Sequence, residues 1–309
     1  MTSVFDLPHV FIAFSPGAGG NFLAGLFKGL LEKEYSKLEI ADSGSSHTTV
    51  LKKIQLNGDL STGTFIDTSM NLDEKTNHYR EVFAKLEITE PTVSWTHDFK
   101  NIALYRALFP NSKIVVVTQT TDEEKLAVTF MHVIKNILDD NVIADIPPEQ
   151  FKIIKQVYKE KCVDMLKPTL TLEQIDKLFQ NPANRDTLVF VYIKLMILYY
   201  DLAYLVEDTP KQNFPEVHFY GTSNQPYKVD QYLTDDCIIS PYSAIMNGNV
   251  DKLLDVSKSV LSRDLTVDEK NFVIENYSKY RLKQNMDILT NPVQYYKNLS
   301  RKVRQKAII

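Results

Sequence analysis

The sequence predicts an α/β protein: a doubly wound parallel sheet flanked by helices, with a mainly helical C-terminal half. Through the first 130 residues, short apolar runs of strand length alternate with segments of helical period. One of them, Lys113–Thr118 (KIVVVT), is a continuous β-branched run suited to the middle of a parallel sheet. Another, His9–Phe14 (HVFIAF), runs straight into a glycine cluster and then a helix-spaced stretch, which is the order strand, tight turn, helix.

Taken in order, Asn21 to Tyr35 sets Phe22, Leu23, Leu26, Phe27, Leu30 and Leu31 at helical spacing. Thr64–Asp67 (TFID) and Thr92–Trp95 (TVSW) are weaker strand candidates. Asn101–Phe109 (NIALYRALF) reads as a helix stopped by Pro110-Asn111. After Lys113–Thr118, the spacing Thr121-x-x-Glu124 fits a capping box opening a helix over Glu123–Leu138. Pro147-Pro148 then breaks the pattern. The expected division is an α/β core over residues 1–146 and a mainly helical portion over 147–309, packed on the same core. Helices are expected there at Pro148–Tyr158, Leu172–Phe179, Leu188–Val206, Val250–Leu261 and Val267–Asp287. Thr171-x-x-Gln174 and Thr266-x-x-Glu269 are further capping boxes, and Val217–Tyr220 (VHFY) is one late strand.

The bulk numbers narrow the function classes. A net charge of -4 over 309 residues gives no global basic field to attract nucleic acid. Two distant cysteines, Cys162 and Cys237, exclude a disulfide framework and a CxxC metal pair, and suit a reducing compartment. The opening residues lack the basic-then-apolar order of a signal peptide. The most apolar run, Leu188 to Leu205, is interrupted by Lys194 and Asp201. The expectation is a cytoplasmic protein with no membrane span.

Three motifs carry chemistry. In Phe14-Ser-Pro-Gly-Ala-Gly-Gly-Asn-Phe22, Gly17, Gly19 and Gly20 allow a sharp turn and close approach of a ligand. The helix that follows offers unpaired N–H groups and the positive end of its dipole, so the segment reads as an anion-cradling loop of the P-loop type. The same glycines also suit a plain strand-to-helix turn packed closely. No Gly-Lys-Ser/Thr is present, and Phe22 follows where GxGxxG would continue toward its third glycine. The second motif, Ser94-Trp95-Thr96-His97-Asp98-Phe99, puts an imidazole just after a candidate strand, where it suits proton transfer or an ordinary loop. The third, Thr118-Gln119-Thr120-Thr121, places hydroxyls and an amide at a strand end, for oxyanion binding or for helix capping.

The order of these motifs resembles the sulfotransferase family, whose members transfer a sulfuryl group from 3′-phosphoadenosine 5′-phosphosulfate. Pro16-Gly17-Ala18-Gly19-Gly20-Asn21-Phe22-Leu23 falls on the family's 5′-phosphosulfate loop, and Thr96-His97 on its catalytic Thr-His turn. Phe109-Pro110-Asn111-Ser112-Lys113-Ile114-Val115 matches the family's Phe-Pro-Asn-x-Lys-Ile turn and strand. The likeness covers residues 8–130 well; beyond that, Asp236–Val260 is compatible with a loop leading into a helix. The family's loop lysine aligns with Gly17, its hydroxyl pair with Gly20 and Asn21, and its 3′-phosphate arginine with Gln119. Its serine, a helical turn later, falls near Ala127, with Thr129 two residues on.

The resemblance therefore implies His97 as the base. It implies Pro16, Gly17, Ala18, Gly19, Gly20, Asn21, Phe22, Gln119, Thr120 and Thr129 as donor-binding residues. The implied ligand is 3′-phosphoadenosine 5′-phosphosulfate or adenosine 3′,5′-bisphosphate, with no metal, and the acceptor hydroxyl compound is unspecified. Lys100, Arg106 and Lys125 are candidates for the missing positive charge. Arg281, Lys283, Arg301, Lys302 and Arg304 are further basic residues near the C-terminus, the last three suiting a solvated tail. A second reading is a catalytically degenerate fold of this type acting as a nucleotide-binding or assembly module. A third, a nucleoside triphosphatase, lacks its Lys-Ser/Thr pair.

Overall fold

In the computed structural model the described residues are 3–15, 17–33, 35, 71–84, 90–96, 99, 101–137, 171–174, 177, 197, 202–207, 226–246, 248–282, 284 and 286–307. The strands are β1 (Val10–Ala13), β2 (Val93–Thr96), β3 (Lys113–Thr118) and β4 (Ile238–Pro241). The helices are α1 (Gly20–Glu32), α2 (Leu72–Ala84), α3 (Asn101–Leu108), α4 (Asp122–Ile137), α5 (Ala203–Glu207), α6 (Ser243–Met246), α7 (Val250–Leu261), α8 (Val267–Leu282), α9 (Met286–Thr290) and α10 (Pro292–Ala307).

The strands form one parallel sheet in the order β2-β1-β3-β4. The chain moves one way from β1 to β2, then reverses past β1 to reach β3. Crossovers of constant hand with opposite directions put covering segments on opposite faces, which is why both faces of these strands are apolar. On one face Phe11, Ala13, Ile114 and Val116 pack with Tyr79 and Phe83 of α2 and Tyr105 and Leu108 of α3. Phe11 stacks on Tyr105 at 4.2 Å between ring centres. α1, which packs on β1, β2, α7 and α8, buries Phe22, Leu23, Leu26, Phe27 and Leu30, and α7 packs on β4 and α8.

The chain divides into two compact units, Met1–Thr120 with His218–Met286, and Thr121–Val217 with Asp287–Ile309. The first holds the sheet. In the second, α10 packs on α4 and α5. There Phe130 stacks on Tyr296 at 5.9 Å, and the Tyr204 hydroxyl donates to Asp122, which also pairs with Lys125 at 3.0 Å. No described helix is long and apolar enough to cross a membrane.

The expected β1, β2, β3, α1, α3, α4 and α7 all form within a few residues of the expected bounds. All three expected capping boxes close reciprocally: Thr121 with Glu124 (3.3 and 3.1 Å), Thr171 with Gln174 (2.8 and 3.3 Å) and Thr266 with Glu269 (2.8 and 3.3 Å). The single helix expected over Val267–Asp287 ends instead at Leu282, where the Gln284 N–H turns back to Arg281 O. β4, α2, α6, α9 and α10 are additional to the expected elements. Thr64–Asp67, Pro148–Tyr158 and Val217–Tyr220 lie outside the described residues. Of Leu172–Phe179 and Leu188–Val206, the described positions 172–174, 177, 197 and 203–206 are helical.

His9, at the foot of β1, is fully buried. The Thr92 N–H donates to its Nδ1 at 3.1 Å, which leaves Nε2 as the protonated nitrogen, donating to Val4 O at 2.8 Å. Burial holds its pKa below the ordinary 6.5. The unfolded chain thus takes up the proton first as pH falls. This contribution is present above 6.5 and is lost as pH drops through the folded-state value. Stability should fall as pH drops below 6.5 in urea titrations, and a His9→Asn variant should show a flatter dependence. Identical slopes would rule His9 out as the source.

Candidate functional site

β1 and β3 are neighbours whose connections run in opposite directions, and the crevice beyond the carboxyl ends of such strands is where open parallel sheets bind ligands. The glycine loop after β1 and the Gln119-Thr120 segment after β3 meet there. The Ser15 hydroxyl donates to Gln119 Oε1 across the crevice at 3.5 Å.

The loop's shape follows from its glycines. Gly17 (φ 91) and Gly19 (φ 75) both occupy left-handed backbone that residues with a Cβ rarely adopt. The Ala18 N–H closes the turn onto Ser15 O at 3.0 Å. α1 opens at Gly20, and its first internal bond runs from the Leu23 N–H to Gly19 O at 3.2 Å. The N–H groups of Gly20, Asn21 and Phe22 therefore have no acceptor within the helix, and no side chain caps Gly19. A left-handed residue followed at once by helical ones aims successive N–H groups into one concavity.

Packing fixes this shape from both sides. A Cβ on Gly20 would overlap the Phe14 ring, which itself lies against Trp95 at 5.5 Å. A Cβ on Gly19 would meet Ile245 Cδ1 and Tyr280 Oη, each at 3.1 Å. Tyr280 stacks on Phe22 at 4.3 Å and 22°. Its helix, α8, is tied down by Tyr277, whose hydroxyl reaches Ala244 O (3.1 Å) and Ile245 O (3.0 Å) and whose pKa burial pushes up. One turn on from Tyr277, Arg281 lies 5.9 Å over that ring, against the left-handed Gly248.

Three polar atoms here are buried without a hydrogen-bond partner among the described residues: Asn21 Oδ1, Thr118 Oγ1 and Gln119 Nε2. Such atoms are matched in folded proteins by protein groups, by water or by a ligand.

The structure brings Gly17, Ala18, Gly19, Gly20, Asn21, Phe22 and Gln119 together, with Thr120 exposed beside them. Their parts differ. Ala18's amide is taken up within the turn, and the Phe22 side chain is core, so Phe22 offers the crevice only its N–H. Thr129 lies in the second unit, where its hydroxyl donates to Lys125 O at 2.9 Å. Pro16, His97 and Lys100 lie outside the described residues. Thr96, which precedes His97, is level with Ala13 at the end of β1 and accepts a bond from Asn101 Nδ2 at 3.1 Å.

Of the candidate cations, Arg106 is committed elsewhere. It donates to Ser112 O (3.2 Å) and pairs with Asp236 (2.8 Å), at the amino edge of β3 rather than the carboxyl edge. Lys125 pairs with Asp122. Arg301 and Lys302 are exposed on α10. Among the described residues, no three His, Cys, Asp or Glu side chains converge as a metal site would require. Ser15 and Thr118 lie within motifs read from the sequence, whereas sequence reasoning missed Ile245 and Tyr280 beside the loop. Only the pairing of β3 with β4 and the docking of α8 bring the last two to the loop. Comparison with protein-family models, with curated proteins and with solved structures finds no match.

Proposed function

We propose that the crevice between β1 and β3 binds the 5′-phosphosulfate end of an adenine nucleotide, and that the protein is a divergent sulfotransferase acting on an acceptor hydroxyl. The observation that carries this reading is the uncapped, glycine-shaped start of α1 beside three orphaned polar atoms at the strand reversal. These residues fit the donor. The N–H groups of Gly20, Asn21 and Phe22 suit an anionic tetrahedral group, and the Gln119 amide suits a further ligand oxygen.

When bound, the donor supplies an activated sulfuryl group with adenosine 3′,5′-bisphosphate as its leaving group. The protein's share is orientation and charge stabilisation by fixed donors. His97 takes the proton from the acceptor hydroxyl as its oxygen bonds to sulfur and the bridging S–O bond breaks, with both electrons leaving on the bisphosphate. Titration calorimetry with adenosine 3′,5′-bisphosphate tests the site, and bisphosphate release from the intact donor across an acceptor panel tests the chemistry. His97→Ala should lower turnover by roughly a hundredfold or more with donor affinity unchanged. Undiminished turnover would remove His97 from the mechanism.

One observation favours the second reading, a nucleotide-binding module without catalysis. Gly17, which stands where the family's lysine falls, has φ 91, so this loop is built for glycine rather than merely missing a side chain. Tight bisphosphate binding with no turnover on any acceptor would select that reading.

A further inference from the structure

We propose that the exposed face of α10 is a docking surface for an anionic lipid membrane. α10 carries Lys297, Arg301, Lys302, Arg304 and Lys306 and no Asp or Glu, and none follows up to residue 309. With 35 Lys and Arg against 39 Asp and Glu in the whole chain, these five cations leave residues 1–291 at -9. By composition the segment suits a solvated tail, but the structure folds it and holds it. Pro292, Tyr296 and Ser300, one helical turn apart, are buried. Tyr296 stacks on Phe130, and the helix packs on α4 and α5. The opposite side presents Gln294, Lys297, Asn298, Arg301 and Lys302, all exposed. Lys297 and Arg301 stand one turn apart on a line that Arg304 continues by helical spacing. Lys297, Arg301 and Lys302 have no ion-pair partner among the described residues.

The chemistry of the face selects its occupant. A nucleic-acid strand is held by stacking on aromatic rings as well as by phosphate contacts, and the exposed side chains of α10 include no aromatic. A fitted protein interface is anchored at its centre by aromatic or apolar residues, and none is exposed on this face. An anionic bilayer asks only for fixed cations, beneath which its mobile headgroups gather, and about four to eight Lys and Arg on one helix suffice. The apolar side of α10 packs on its own core, so the helix rests on the headgroups without inserting. The attraction is therefore electrostatic throughout, and salt screens it.

The test is co-sedimentation of the full chain with vesicles of phosphatidylcholine, alone or with about 30% phosphatidylserine, at roughly 0.1–10 mM lipid and about 50 mM salt. The expected result is binding to the anionic vesicles only, lost at about 500 mM salt. A variant carrying Lys297→Gln, Arg301→Gln and Lys302→Gln should bind about a hundredfold more weakly. Its melting temperature should be unchanged, because glutamine favours helix and all three positions are exposed. A wild-type chain that ignores anionic vesicles, or a variant that binds them equally well, would overturn the proposal. Tighter binding to a polynucleotide than to anionic vesicles would also overturn it, and would give the face to nucleic acid.

Discussion

Gly19→Asp should abolish binding of adenosine 3′,5′-bisphosphate, with a loss of at least about a hundredfold by calorimetry. Two effects add. At φ 75 a Cβ is strained, at a cost of roughly 1–2 kcal/mol, and here it would also press on Ile245 and Tyr280 at 3.1 Å. The new carboxylate would stand within the loop that is to receive an anion. At about 4 Å and an effective dielectric of about 20, repulsion between unit charges is roughly 4 kcal/mol. Gly19→Asn separates the two, because asparagine tolerates left-handed backbone and carries no charge. It should keep much of the affinity that aspartate loses. If Gly19→Asp binds as tightly as the wild type, the anion does not sit at this loop.

Glu269→Ala should lower the stability of the sheet-bearing unit by about 3 kcal/mol, read as a reduced urea midpoint. Glu269 is 1% exposed, yet it is charged and fully engaged. Arg263 grips it with two bonds, 2.8 and 2.6 Å, Thr266 N–H donates at 2.8 Å, and the Tyr35 hydroxyl donates at 3.1 Å. Its pKa falls to about 2, chiefly through Arg263. Removing it strips α8 of its capping box and leaves the Tyr35 hydroxyl without this acceptor. Arg263 is 45% exposed and can turn to water, which keeps the cost near the low end for a broken buried pair. Because the folded-state value is depressed, this stabilisation is present above 4.5 and is lost as pH falls toward 2. Glu269→Gln keeps both acceptor oxygen and cap geometry, so it should lose less. Equal losses in the two variants would mean that the charge accounts for the whole effect and the retained cap for none.

The parts of the fold legible in the sequence are those where local and global demands agree. After Lys113, the strand Ile114–Thr118 is buried on both faces and β-branched throughout, so its own composition names it. The capping boxes are visible because their partners lie three residues apart. α2 has little apolar period, since among its described side chains only Thr76, Tyr79 and Phe83 are buried, yet Asn71 and Glu74 cap it reciprocally at 2.9 and 3.0 Å, a signal open to reading. α10 likewise shows proline at its first position and Asn291 as its cap. β4 is four residues long, half exposed and ends in proline, which suits the margin of a sheet and gives little period to detect. The loop's glycines announced the site, whereas Tyr280 and Ile245 reach it only through pairings far apart in sequence.

The order β2-β1-β3-β4 also governs how the chain can fold as it is made. β3 is complete at residue 118, but its outer partner begins at 238, after the whole of residues 121–217. At a synthesis rate of some 5–20 residues per second, the outer edge of β3 waits on the order of ten seconds for β4. Until then Val115 and Val117 lie on a bare strand edge, the kind of template that recruits other chains. A nascent chain stalled between these points should engage holdase chaperones, and one released after β4 should not.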